Sequence, residues 1–155
     1  MKPIEVNIES KIIAGVRGTT SNEQEGDFEV AKIPLLWREY FQNSILYPLA
    51  NEVQDSPAYA VYHNFQNGVN GEYDITIGTE VSTEKNLETG YKSIVLKEGK
   101  YLRFDAKGEM PMVVVNLWQE IWTYFQKNGN DIRTFETDFE IYTGDDELSI
   151  YIGIK

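Results

Sequence analysis

At 155 residues, 41% of them hydrophobic and 13% aromatic, the chain is long enough to bury one core and short for two, so a single domain over residues 1–155 is expected. Its 14 basic and 25 acidic residues give a net charge of -11, which repels phosphate backbones and anionic membranes and excludes direct nucleic-acid or membrane partners unless a basic patch is segregated. The absence of cysteine removes disulfides, thiolate metal sites and Cys nucleophiles, and with no apolar run long enough to span a bilayer the expected location is cytoplasmic.

The opening "MKPIEVNIESKIIAG" lacks the continuous apolar segment of a signal peptide, and its second half begins a strand-like run, "ESKIIAGVRG". Next comes "LLWREYFQ" at 35–42, where Ile33, Trp37, Tyr40 and Phe41 recur at helical spacing. Pro34 is tolerated in a first helical turn, so the helix is expected to begin there. Two strand-like runs follow, "AYAVYHNF" and "YDITIGTEV", joined by the turn-rich "QNGVNGE". That glycine-rich loop precedes a strand instead of a helix and matches no phosphate-binding loop, so no cofactor is expected.

After the connection "KNLETG" the pattern starts again. "KSIVLKEGKYLRFDAKG" reads as the strand ahead of a second helix, which follows Pro111 and carries "NLWQEIWTYFQ" at 116–126. Val114, Trp118, Ile121, Trp122 and Phe125 form its apolar stripe, with Gln119, Glu120 and Lys127 on other faces. "TDFEIYT" and "ELSIYIGIK" then close the chain as two strands around an acidic turn. Asp145, Asp146 and Glu147 in that turn lack the spaced loop of a calcium site, and the single His63 has no second histidine to share a metal, so no metal site is expected.

The chain is therefore written twice, as strand, helix, strand, strand, with halves of about 6–84 and 90–155. The expected fold is α+β, with the duplicated modules forming a largely antiparallel sheet and two main helices flanking a cleft.

The order of "YAVYHNF", "GEYDITIGTEV", "EGKYLRFDAKG", "LWQEIWTYF", "DFEIY" and "LSIYIGIK" resembles the GyrI-like, or AraC-type, effector-binding domains over nearly the whole chain. It resembles most the stand-alone branch, including the integron-associated effector-binding proteins, since no helix-turn-helix segment is read before or after it. The resemblance implies a ligand-binding fold without its own DNA-binding domain. It also implies that a glutamate in the strand after the second helix, here Glu140, reaches into an aromatic cleft and pairs with lipophilic cations.

A carboxylate among aromatic rings loses hydration and gains from a soft organic cation, and the rings add cation–π attraction without demanding one hydrogen-bond pattern. Tyr142, two residues on, shares the strand face of Glu140, and Tyr62 is its counterpart in the first half. Trp118 and Trp122 lie one turn apart on the second helix, and Tyr101, Phe104 and Trp37 are further wall candidates. Glu80 is a second candidate acid, on the strand face of Thr76 and Gly78.

Each residue also has a plainer use: packing for the tryptophans, a solvated strand position for Glu140, a surface or satisfied position for His63. The expected function is a non-catalytic module binding a cationic, amphipathic small molecule, linked to transcriptional regulation and leaving room for a separate protein partner. One alternative is a hydrolase of electrophilic compounds using Glu140 with Tyr62 or Tyr142. Another is an acidic interaction protein directed at a DNA-acting enzyme. The residue pattern leaves the oligomeric state open.

Overall fold

The computed structural model describes residues 2–155. Eight strands form one sheet: β1 (Ile4–Ile8), β2 (Lys11–Ser21), β3 (Ala58–His63), β4 (Glu72–Val81), β5 (Lys92–Leu96), β6 (Gly99–Lys107), β7 (Arg133–Gly144) and β8 (Glu147–Ile154). The helices are α1 (Asn22–Glu25), α2 (Ile33–Leu46) and α3 (Met112–Asn128), with a short 3-10 turn at Asn130–Ile132. Every ladder is antiparallel, in the order β1-β6-β8-β7-β3-β4-β2-β5.

The duplication is visible in that order. Strands β2, β3 and β4 with α2 make one module, and β6, β7 and β8 with α3 make the other. The modules meet along the β3–β7 ladder, where Ala60 faces Glu140. Proline sets both helix starts as expected: Pro34 lies in the first turn of α2, and Pro111 caps α3.

Two features depart from the sequence expectation. The run 92–108 is two strands, broken at Lys97 and Glu98, and β1 is an additional strand at the N-terminus. Strand β1 pairs with β6 of the second module, while β5 pairs with β2 of the first. Each module thus lends its leading strand to the other.

That exchange fixes the curvature of the sheet. Two-residue links join β1 to β2 and β5 to β6, yet each pair is separated by six ladder spacings. Six spacings span roughly 29 Å in a flat sheet, whereas a two-residue link reaches about 11 Å, so the sheet has to curl. Its inner surface closes over Ile13, Tyr59, Val61, Leu96, Tyr101 and Phe139. Glycine permits part of the bend: Gly15 and Gly78 face each other across β2 and β4, and a Cβ on either would collide with the opposing backbone.

The helices cover the other surface unequally. Helix α3 buries Val113, Leu117, Ile121 and Phe125 against Phe104, Ile150 and Ile152, whereas α2 fully buries Leu36 alone. Its ends are pinned instead. The Glu25 carboxylate accepts the Lys32 and Ile33 N–H groups at the start of α2, which has no side-chain cap of its own, and Tyr91 donates to the Tyr47 carbonyl at the far end.

Gly15→Ala is expected to destabilise the protein by more than about 2 kcal/mol, because the clash is with backbone that cannot rotate away. Urea unfolding of the variant beside Gly18→Ala checks this, since the added methyl at Gly18 meets only the Leu36 side chain.

Candidate functional site

The site lies on the helix-covered surface of the sheet, where the two modules join. Strand alternation puts Asp138, Glu140 and Tyr142 of β7 on this surface, with Ala60 and Tyr62 of β3 beside them in register. Opposite Glu140 stands Ala60, a small and fully buried residue.

Glu140 is 2% exposed and is held by three side chains. Tyr62 donates to its Oε2 at 2.8 Å, Trp118 Nε1 donates to the same oxygen at 2.7 Å, and Tyr142 donates to Oε1 at 2.6 Å. Burial pushes its carboxyl above the usual range, and the hydrogen bonds from Tyr142, Trp118 and Tyr62 oppose that rise. The phenols respond in turn: burial raises Tyr62 and Tyr142, and the neighbouring carboxylate raises them further, so both stay protonated as donors.

The rings repeat the duplication. Tyr62 meets Trp118 edge-on at 5.2 Å, and Tyr142 meets Trp37 edge-on at 4.9 Å. Tyr62 and Tyr142 are counterparts in the two modules, as are Trp37 and Trp118, so the two pairs are related by a pseudo-two-fold axis passing between Ala60 and Glu140. From each half-buried tryptophan an apolar neighbour leads outward: Phe41 lies 5.8 Å from Trp37, and Trp122, 38% exposed, lies 6.1 Å from Trp118. These form a rim around a closed centre. Two shallow depressions of the surface lie elsewhere, one along β6 and β8 near Arg103 and Ser149, the other beside the start of α3 near Asn116.

Asp138 provides the contrast. Its carboxylate is as buried as that of Glu140, on the same surface two residues away, but it has a full counter-charge. Arg133 Nη2 donates to it at 2.7 Å and the Gly153 N–H at 2.9 Å, while the guanidinium lies over the rings of Phe125 and Phe135. Glu140 has only neutral donors. Sequence reading missed Asp138, although its spacing from Glu140 put it on the same face. Arg133 carried no such signal, because an irregularity between Arg133 and Asp138 breaks the alternation.

Of the residues singled out from sequence, Glu140, Tyr142, Tyr62, Trp118 and Trp37 come together, with Trp122 at the rim. Three others do not join them. Tyr101 lies on the opposite surface, where its hydroxyl donates to the Lys97 carbonyl and meets Thr137. Phe104 lies on the correct surface but beneath α3, against Tyr124 and Phe125. Glu80 points to the side away from the helices and pairs with Lys11, because Ile75 and Ile77 are the residues of β4 that face α2. The stripe of α3 is also turned by one position: Val113 and Leu117 are its core, which places Trp118 and Trp122 on the flank toward the site.

His63 is buried and satisfied by Thr76 at 2.9 Å; burial, reinforced by Arg17, pushes its pKa down to about 4, so it stays neutral. Among the described residues no group of three His, Cys, Asp or Glu side chains could hold a metal, and no helix is long and apolar enough to cross a membrane.

The single antiparallel eight-stranded sheet with its helices is the fold of the GyrI-like effector-binding domains. Within that class, residues 6–154 match the model of Cass2, the integron-associated effector binding protein, and the chain belongs to this family. It is 30% identical over 156 residues to YobU of Bacillus subtilis (strain 168), a protein named as a transcriptional regulator, covering 96% of this chain and 95% of that one. An integron cassette protein from the mobile metagenome of Vibrio cholerae has the same fold, with a TM-score of 0.86 and 28% identity over 99% of this chain and 96% of that one. The structure of SAV2435 bound to tetraphenylphosphonium superposes with a TM-score of 0.80 at 18% identity, covering 100% of this chain and 94% of that one.

Removing either partner of the ion pair should hurt, whereas neutralising Glu140 should not. Arg133→Ala is expected to cost about 3–5 kcal/mol by leaving Asp138 buried without its guanidinium. A carboxyl whose folded pKa is raised destabilises the fold once the pH exceeds its unfolded value, so Glu140→Gln should gain stability at neutral pH and nothing in acid. Urea unfolding across pH checks both.

Proposed function

We propose that the protein binds an amphipathic organic cation at Glu140, as a non-catalytic effector-binding module. The observation that carries this reading is the difference between two buried carboxylates on one strand face: Asp138 is matched by Arg133, and Glu140 is matched by no positive charge. A buried acid left with neutral donors is poised for a mobile counter-ion, and a soft organic cation is the one that leaves water most cheaply. Tyr62, Tyr142, Trp37 and Trp118 supply π faces for it, each worth on the order of 0.5–2 kcal/mol. The capacity of this fold to hold tetraphenylphosphonium, as in SAV2435, supports the same class of ligand.

The phenolic protons favour binding over turnover. A hydrolase using Glu140 to activate water would need Tyr62 or Tyr142 to direct its proton at the substrate, and both protons are directed at Glu140 itself. Similarity to a protein named as a transcriptional regulator supports a role in which ligand occupancy is reported to a separate partner. Entry requires the closed rings to part. Helix α2, with one fully buried residue against four on α3, is the wall with less to lose by moving.

Titration of the purified protein with lipophilic cations and neutral isosteres, followed by tryptophan fluorescence, should show cation-selective, saturable quenching without consumption of the ligand. Glu140→Gln should weaken the cations at least about 100-fold and leave the isosteres unchanged; equal binding of both kinds, or an unchanged variant, would falsify the reading. The pH dependence has a definite sign. A cation binds the ionised carboxylate, so affinity is full above the raised Glu140 pKa and is lost as the pH falls through it, beginning at a higher pH than an exposed glutamate would show.

A further inference from the structure

We infer that the cation taken by this site carries N–H bonds: a protonated primary or secondary amine in preference to a quaternary ammonium or phosphonium ion. This rests on the reading of Glu140 as a cation site and narrows that reading to a chemical class. The ground is the balance of donors and acceptors in the cluster. Tyr62, Trp118 and Tyr142 each have one side-chain proton to donate, and all three are given to Glu140.

What the cluster retains is acceptor capacity alone. Oε2 already takes two donors, whereas Oε1 takes only Tyr142, which leaves one of the four acceptor positions of the carboxylate free. Each phenolic oxygen also keeps a lone pair. Tyr62 and Tyr142 lie on either side of Glu140 along the joined strands, so a nitrogen arriving over the carboxylate meets three acceptors and no donor.

A quaternary ion satisfies the charge but bonds to none of those acceptor positions, which are already buried with Glu140 at 2% exposure, whereas an N–H cation gains hydrogen bonds to them. Ease of dehydration pulls the other way, since an N–H cation is the more strongly hydrated. A preference for it would therefore report bonds made inside the site. The same balance disfavours any ligand that presents a carbonyl or carboxylate at this position.

The test is a series on one naphthylmethyl body whose head is ammonium, then mono-, di- and trimethylated ammonium, with the naphthylmethyl alcohol as the neutral control. Calorimetric titration is run at a pH where every amine is protonated and Glu140 is ionised. Each N–H replaced by methyl is expected to weaken binding about five- to tenfold. Affinity that is flat or rises toward the trimethyl head overturns this inference and leaves the cation reading intact. If no cation in the series binds better than the alcohol, the cation reading falls and this inference falls with it.

Discussion

The structure turns on one desolvated charge. Glu140 sits at the seam between two modules, and the fold surrounds it with hydrogen-bond donors while withholding a counter-ion. Neutral donors lower the cost of burying a carboxylate without cancelling it. The rest of the site follows from keeping that charge tolerable. Two phenols and an indole do this with protons, and their rings pack edge-on around the carboxylate. The neighbouring ion pair of Asp138 and Arg133 shows that the same strand can supply a full counter-charge where permanence is wanted. One acid is held by an opposite charge and the other by neutral donors alone.

The surroundings of Glu140 come from duplication. A strand, helix, strand, strand unit used twice brings a tyrosine and a tryptophan from each copy to the same centre, and the edge-on pairs Tyr62–Trp118 and Tyr142–Trp37 match in spacing and tilt. Position 60 of the first copy and position 140 of the second face each other on the axis. Alanine at one and glutamate at the other give the centre a single charge. Unequal helix packing adds a further asymmetry, since α3 is anchored by a full apolar stripe and α2 is held mostly at its two ends.

Much of this was legible in the sequence because duplication leaves a periodic trace. The repeated Leu-Trp and Tyr-Phe pairs, the prolines ahead of them and the paired strand runs gave both helices and the module order. Glu140 was singled out by the family resemblance, Tyr142 by strand alternation from it, and Tyr62 as the counterpart of Tyr142 in the first module. The remainder depended on relations that alternation does not encode. Which face of β4 meets a helix decides Glu80, and the choice belongs to Ile75 and Ile77, which read equally well as either side. Tyr101 and Phe104 are three residues apart on one strand, so alternation already sends them to opposite surfaces and only one of them could have joined the site; which one depended on the face that α3 covers. The break at Lys97 and Glu98 carries only one glycine nearby, so two strands at distant places in the sheet read as one. Capping of α2 by Glu25, eight positions before Ile33, is a contact between elements and has no local signature.

The axis through Ala60 and Glu140 also bears on how such a site could arise. Two identical modules related by a true two-fold would have to place the same residue on both sides of it. A pair of alanines would offer space and no charge; a pair of glutamates would set two buried anions side by side, one of which would be forced to hold a proton. A single charge beside the axis requires two copies that differ, as the two joined modules of this chain do. The reciprocal loan of β1 and β5 reinforces that dependence, because each module completes its sheet with a strand from the other. Symmetry built the chamber, and the fusion of its halves allowed the chamber to be lopsided where it matters.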